Sequence, residues 1–450
     1  VILSKGFDPE KRSLSSTSAP SISTPPRPRF LFLEPQAYSR WVFPPASADS
    51  SPFAPPHEDY LFRQPERGQV DPARCLEIAR AHSGRFDYIV GELSAGFLWH
   101  ALFRLAGDQT PFLLVPRINQ VAPKQCYALL LSSQLRGSRD IVFAGCRAAK
   151  QSFGQFGFHC EPRHLPSYDL PSIDLKLFRP LPDRDELRAA LGLPADRDVL
   201  LYTGRVDRDK HLLELFEVLA AVRAERPAEL VVCFHFRGEP YLARCRERAA
   251  AMGHIRFVEW PDPQTLVRYY NAADLFVSAG VSVCETFGRS PVEAMACGTP
   301  SVVSAYNGFR DTITPSTGFL VPTVRKDGKG WPQRPDVGRL AATVLKALAD
   351  PAGLREKSRI GLKRARRWDR AAILNHVLKL LARHPGGGEA PRRERLSLAG
   401  YPPAVAALWS CLEGRPLADL VADFAATGEL PCEPAKEAVA AFYEFWFADY

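Results

Sequence analysis

Glu285-Thr-Phe-Gly-Arg-Ser-Pro-Val-Glu-Ala-Met-Ala-Cys-Gly-Thr-Pro300 is the stretch whose reading decides the fold. The short apolar run at 275–278 before it reads as a buried strand, and the run at 301–304 after it reads as another. Gly288 permits a backbone turn closed to residues that carry a Cβ. Ser290 then reads as an N-cap, Pro291 as the first helical residue and Glu293 as the third, the pattern of a capping box. Gly298 and Pro300 stop the helix. Strand, glycine turn and helix start, in that order, make a βα unit of a parallel sheet. Open α/β sheets bind ligands at the carboxyl ends of their strands. The unpaired N–H groups and the dipole at such a helix start favour an anion, a pyrophosphate for example. Glu285 and Glu293 flank the turn, and carboxylates suit the vicinal hydroxyls of a sugar or ribose. Spacing alone leaves a second reading open, in which Glu293 only caps and Glu285 is an ordinary loop carboxylate.

A second element is Gly204-Arg205-Val-Asp-Arg-Asp-Lys210, between a strand at 199–203 and a helix at 211–224. It sets Arg205 and Lys210 at another strand's carboxyl end. Arginine grips phosphate oxygens as a fork and lysine supplies a point charge. Alone, such a basic turn is equally a solvated loop. Its Asp-Arg-Asp triplet recurs at Asp183 and Asp196, near helix starts, so N-capping explains it better than a metal.

Outward from these turns, strands at 199–203, 230–236, 255–258, 275–278 and 301–304 alternate with helices at 211–224, 239–252, 263–271 and 291–297. Five strands with intervening helices predict a doubly wound α/β domain, closed by helices near 337–349 and 354–383. An earlier alternation has strands at 30–33, 88–90, 112–115 and 141–144 and helices at 72–82, 95–106 and 124–135. The expected organisation is a disordered tail at 1–27, a Rossmann-like domain at 28–170, a second at 171–384, a Gly-rich linker at 385–397 and a small helical domain at 398–450. The Pro-rich stretch 36–69 has no clear period and suits a lid or partner surface.

Composition narrows the class. The chain has 450 residues, 46% apolar and 24% charged, near the soluble average. No apolar run reaches the roughly 18–20 residues a membrane span needs. The first residues lack the apolar core of a secretory signal. Ten cysteines without paired spacing read as reduced, mostly buried thiols, which points to a cytoplasmic setting. The net charge of +8 is spread over helices, and its local clusters, at 364–367 and 392–395, lack interleaved aromatics. Solvated helix faces and a basic linker account for it better than a nucleic-acid site.

Taken together, the Glu285-x7-Glu293 turn, with Phe287, Gly288, Ala294, Ala296, Gly298 and Pro300 in place, and the Gly204-Arg205…Lys210 turn resemble the retaining glycosyltransferases of the GT-B group often called family 4. The resemblance covers about residues 174–368. It implies two facing Rossmann-like domains and transfer of a hexose-type sugar from a nucleoside diphosphate to an acceptor hydroxyl, with retention and without a cofactor or catalytic metal. Arg205 and Lys210 would hold the donor diphosphate and stabilise its leaving charge, and Glu285 would bind hydroxyls of the transferred sugar. Gly204 and the amides of Phe287, Gly288, Arg289 and Ser290 would line the donor, Glu293 would take the ribose, and the strand end at Val258–Trp260 would sit by the base.

The first domain matches in outline only. Glu34-Pro-Gln-Ala stands where the family often has a glycine-rich loop, and Pro116-Arg117-Ile-Asn119 where it often has a histidine. Glu92, Arg117 and Asn119 are the acceptor-side candidates, with structural salt bridges the other reading of Glu92 and Arg117. His100, inside an amphipathic helix beside Trp99, reads as a packed or surface histidine. The tail segment 412–424 resembles small winged-helix peptide-binding modules, such as the peptide chaperone of pyrroloquinoline quinone synthesis. A helical cap or an oligomer contact through 398–450 is the alternative. The acceptor is accordingly open between a small molecule, a glycan and a peptide or protein. The altered acceptor side also leaves a rival: a degenerate transferase that binds a nucleotide sugar or a partner without turnover. A GT-B epimerase or phosphorylase is a third reading.

Overall fold

The computed structural model describes residues 30–33, most of 77–115, parts of 132–150, 173–234, 239–325 apart from 283, 284 and 286, 333–369 and a few positions beyond. The tail at 1–27, the stretch 36–69, the linker at 385–397, and all but isolated positions of the expected helix at 124–135 and of the domain at 398–450 lie outside the described residues.

The second unit is a six-stranded parallel sheet in the order β10-β9-β8-β5-β6-β7. Its strands are β5 (Asp198–Thr203), β6 (Ala228–Phe234), β7 (Ile255–Glu259), β8 (Leu275–Ser278), β9 (Ser301–Ser304) and β10 (Gly318–Val321). Order reverses at β5, whose neighbours are β6 and β8. A switch of that kind opens a crevice beyond the strands' carboxyl ends. Every residue of β6 is buried, as a strand covered on both faces must be. One core, with Phe216, Phe234 and Val302, fills one face, and another, with Tyr270, Phe276 and Trp368, fills the other. Each large side chain buried this way contributes about 1.5–3 kcal/mol.

Two departures from the sequence reading have local causes. The sheet has six strands where five were expected. The crossover from β9 to β10 contains only the four-residue helix Phe309–Thr312, too short to show a helical period. The closing helix expected at 354–383 is Pro351–Ala365, followed by a 3-10 turn at Arg366–Trp368. Trp368 is fully buried against Phe287, and Asp369 forms a parallel bridge with Ile173, which draws the backbone out of the helix. Asp183, read from sequence as standing near a helix start, caps the helix Arg184–Ala190 by accepting from the Glu186 amide.

In the first unit, the described strands β1 (Phe30–Leu33), β2 (Tyr88–Glu92), β3 (Phe112–Val115) and β4 (Ile141–Val142) form a parallel sheet in sequence order. The helix α1 (Ala95–Leu105) packs on β2 and β3. A buried polar hub joins them. Asp140 accepts from Arg104 at 2.6 Å, from His100 at 2.8 Å and from the Phe112 amide at 2.9 Å. Arg104 also donates to the carbonyls of Asp108 and Thr110, and Ser132 pairs with the other nitrogen of His100 at 2.7 Å. His100 is thus a packed, structural histidine. Burial lowers its pKa against the pull of Asp140. Burial pushes Asp140 upward, but His100, Arg104 and the Phe112 amide reverse that and leave it below the usual carboxylate range.

Both depressed values make this hub acid-sensitive. Its contribution is complete above about pH 6.5, the unfolded histidine value. It is lost as pH falls, first through His100 and then, below the ordinary aspartate range, through Asp140. Asp140→Ala leaves the Arg104 charge buried without its carboxylate and should cost about 3–5 kcal/mol. Denaturant unfolding at neutral pH reads that loss, and in the same titration from pH 7 to 4 the variant should lose more stability than the wild type, because Asp140 no longer favours the protonated form of His100.

Candidate functional site

The cationic turn is built by β5. Thr203 ends the strand, and the chain then passes through Gly204, where a Cβ would lie 2.8 Å from the Tyr202 hydroxyl oxygen. Tyr202 uses that hydroxyl to donate to the Arg205 carbonyl at 2.8 Å, which fixes the turn. Asp207 caps a 3-10 turn at Arg208–Lys210, and His211 begins the helix Leu212–Arg223. Arg205 donates to Asp207 at 2.8 Å and to Asp209 at 2.9 Å. Lys210 lies 3.5 Å from Asp209 and donates to Glu285 at 2.9 Å.

The acidic turn follows β8. Ala279, Val281 and Ser282 are buried small or apolar residues, and a Cβ on Gly280 would touch the Lys210 stem at 3.9 Å. Glu285 accepts from the Gly288 amide at 3.1 Å through one carboxylate oxygen and from Lys210 through the other. Gly288 has φ 77, and a Cβ there would fall 2.5 Å from the Phe309 ring. Only glycine fits. The helix starts directly after it, at Arg289–Ala296, with Gly288 as N-cap.

This corrects the expected capping box. Ser290 is the second helical residue rather than the cap, because the left-handed glycine already turns the chain into the helix. Glu293 does not cap. It sits nearly buried, accepting from Arg289 at 2.7 Å on one oxygen and from the Tyr270 hydroxyl at 2.9 Å on the other.

Arg205, Lys210 and Glu285 therefore stand in one chain of contacts, and the 285–289 turn carries Glu293 beside it. Burial would lower the Lys210 pKa, but Glu285 and Asp209 outweigh it and raise the value, so the ammonium stays charged. Burial would raise Asp209, but Lys210 and Arg205 hold it below the ordinary range. Chemically, the cluster is a pair of oriented cations whose present partners are the chain's own carboxylates. An incoming anion can exchange places with those partners.

The remaining residues are placed as follows. Phe287 turns its ring into the core against Trp368, which leaves only its backbone for a ligand. Val258 is half-buried against the core. Trp260 is 63% exposed just beyond β7, with its amide donating to the Phe234 carbonyl. Glu92 ends β2, and Arg117 and Asn119 lie outside the described residues. Sequence reading missed Asp209, which contacts both cations, and Tyr270, which holds Glu293. The first was readable as an acid beside Lys210; the second carries no local signal, because it lies 23 residues away on another helix.

With six parallel strands, a helix-covered sheet and a reversal of strand order at β5, beside a second parallel α/β unit, the fold is that of the GT-B glycosyltransferases. Residues 183–363 match the family model for glycosyl transferases group 1. The chain is 35% identical over 195 residues to D-inositol 3-phosphate glycosyltransferase 1 of Catenulispora acidiphila, covering 41% of this chain and 43% of that protein. It is 32% identical over 217 residues to the D-inositol 3-phosphate glycosyltransferase of Jonesia denitrificans, covering 45% and 48%. The chain thus spans less than half the length of these relatives. Among solved structures, Anabaena HepE in complex with UDP and glucose superposes with a TM-score of 0.56 at 18% identity, over 69% of this chain and 81% of that one. Sucrose-phosphate synthase from Thermosynechococcus elongatus superposes at 0.57 and 23% identity, over 70% and 77%.

Gly288→Ala should test the turn. The added methyl meets Phe309 and the backbone is strained at positive φ, so a loss of roughly 1–3 kcal/mol is expected. Thermal unfolding measures it. The Glu285 contact with the residue 288 amide and the start of the Arg289–Ala296 helix should be disturbed in the same variant.

Proposed function

We propose that the chain is a retaining hexosyltransferase that takes its sugar from a nucleoside diphosphate. The observation that carries this reading is the continuous contact from Arg205 through Asp209 and Lys210 to Glu285, at the carboxyl ends of β5 and β8. Arg205 and Lys210 meet the diphosphate, exchanging carboxylate partners for phosphate oxygens. They then stabilise the charge that develops on the leaving oxygen. Glu285, held by the Gly288 amide, accepts from hydroxyls of the departing sugar once Lys210 turns to phosphate. The backbone of Gly204 and of Phe287 to Ser290 lines the donor, Glu293 takes the ribose, and the β7 end at Val258 and Trp260 takes the base. The anomeric carbon–phosphate oxygen bond breaks, a bond to the acceptor oxygen forms, and the acceptor proton passes to the diphosphate side. No metal is assigned a role in this reading.

Acceptor recognition belongs to the first unit, with Glu92, Arg117 and Asn119 as candidates. The family-model match at 183–363 bears on the donor half alone. A cytoplasmic setting goes with this reading, since the free cysteines Cys146, Cys233, Cys245 and Cys297 are all buried. Among the described residues no helix is long and apolar enough to cross a membrane.

Incubation with UDP-, GDP- and ADP-hexoses should give transfer or slow hydrolysis of one donor class, read as released nucleoside diphosphate. Lys210→Ala and Glu285→Ala should each lower that rate by about a hundredfold or more. Turnover that survives both substitutions overturns the assignment. Donor binding without any turnover across a broad acceptor panel would point instead to a transferase fold used for binding.

A further inference from the structure

The two halves of the proposed donor site are tied together beneath the surface. Tyr270 lies on the helix Pro263–Ala272, fully buried, with its hydroxyl between two elements. It donates to Glu293 Oε2 at 2.9 Å, and the Thr203 hydroxyl lies 2.5 Å from the Tyr270 hydroxyl oxygen. A phenol has one proton. Glu293, paired with the Arg289 guanidinium, acts as acceptor, so the Tyr270 proton goes to it and Thr203 must donate to Tyr270. The relay runs Thr203 to Tyr270 to Glu293. Thr203 is the residue immediately before Gly204-Arg205, so this relay links the start of the phosphate turn to the carboxylate on the neighbouring helix.

The relay also sets which acceptor sites remain. A carboxylate offers about four lone-pair sites. On Glu293 one site of Oε1 is taken by Arg289 and one of Oε2 by Tyr270. Those two contacts leave acceptor capacity for two further donors, as many as a vicinal diol supplies. Losing Tyr270 would free Oε2 to rotate about the Arg289 contact, and the two vacant sites would no longer be held in a fixed plane.

We infer that Tyr270 is a positioning residue for the nucleotide: it locks Glu293, through the Thr203–Tyr270–Glu293 relay, in the orientation that receives both hydroxyls of a ribose vicinal diol. This rests on the reading of Glu293 as the ribose ligand. It adds a residue that touches no substrate and a reason why the site selects a ribonucleotide.

The test is calorimetric binding of UDP, GDP and ADP, each beside its 2′,3′-dideoxy counterpart, to the wild-type chain, Tyr270→Phe, Tyr270→Phe/Thr203→Val and Glu293→Ala. The wild-type chain should prefer the ribonucleotide that binds by at least tenfold over its dideoxy form, about 1.4 kcal/mol. Tyr270→Phe should reduce that preference most of the way to the level of Glu293→Ala while binding of the dideoxy form stays within twofold. The double variant removes the stranded Thr203 hydroxyl, restores packing and should show the same lost preference, which separates positioning from instability. A Tyr270→Phe chain that keeps the full wild-type preference overturns the inference and leaves the ribose reading intact. A wild-type chain with no preference, or Glu293→Ala that keeps it, removes the ribose reading and the inference together.

Discussion

A lysine cannot be left nearly buried without countercharge, and Lys210 is nearly buried. Its ammonium is stable there because Glu285 and Asp209 reach it from two separate turns. That requirement binds the end of β5 to the end of β8, strands that are neighbours in the sheet but far apart in sequence. Without the ion pair each turn still has its own hydrogen bonds, from Tyr202 to the Arg205 carbonyl and from the Gly288 amide to Glu285, but this link between the two turns is gone. Desolvation without those carboxylates would drive the lysine toward its neutral form. The geometry of the crevice is therefore a consequence of charge balance as much as of packing.

The same logic explains the carboxylates that crowd around the cations. Asp207 and Asp209 occupy both outer nitrogens of Arg205, and Glu293 occupies Arg289. A cleft lined by unpaired arginines would be more attractive to any anion and less ordered. Here each cation is already held in one orientation by its carboxylate partners.

Much of this was legible in the sequence. The Glu285-to-Pro300 stretch announced strand, turn and helix because glycine and proline restrict the backbone in ways that survive any tertiary context. Arg205 and Lys210 were legible because they stand at a strand end within seven residues. Glu293 was placed on the right helix but given the wrong local role. A capping box is a statement about neighbours in sequence, whereas its hydroxyl partner, Tyr270, comes from a different helix. The sixth strand escaped notice for a related reason: Gly318-Phe-Leu-Val gains its identity from pairing with β9, not from its own four residues. Likewise the Asp140 hub joins positions dozens of residues apart, and no spacing rule connects them. Local restrictions can be read from one segment; partnerships across the sheet cannot.

The bridge between Ile173 and Asp369, reinforced by the Ile173 amide donating to the Trp368 carbonyl at 2.7 Å, brings the entrance and exit of the second unit together. A segment whose two ends meet can be grafted from one chain to another without stretching either host. The family match fits that picture, since it begins and ends inside those two residues. The unit is thus a cassette: its inward chemistry can stay fixed while the flanking sequence is rewritten for a different clientele.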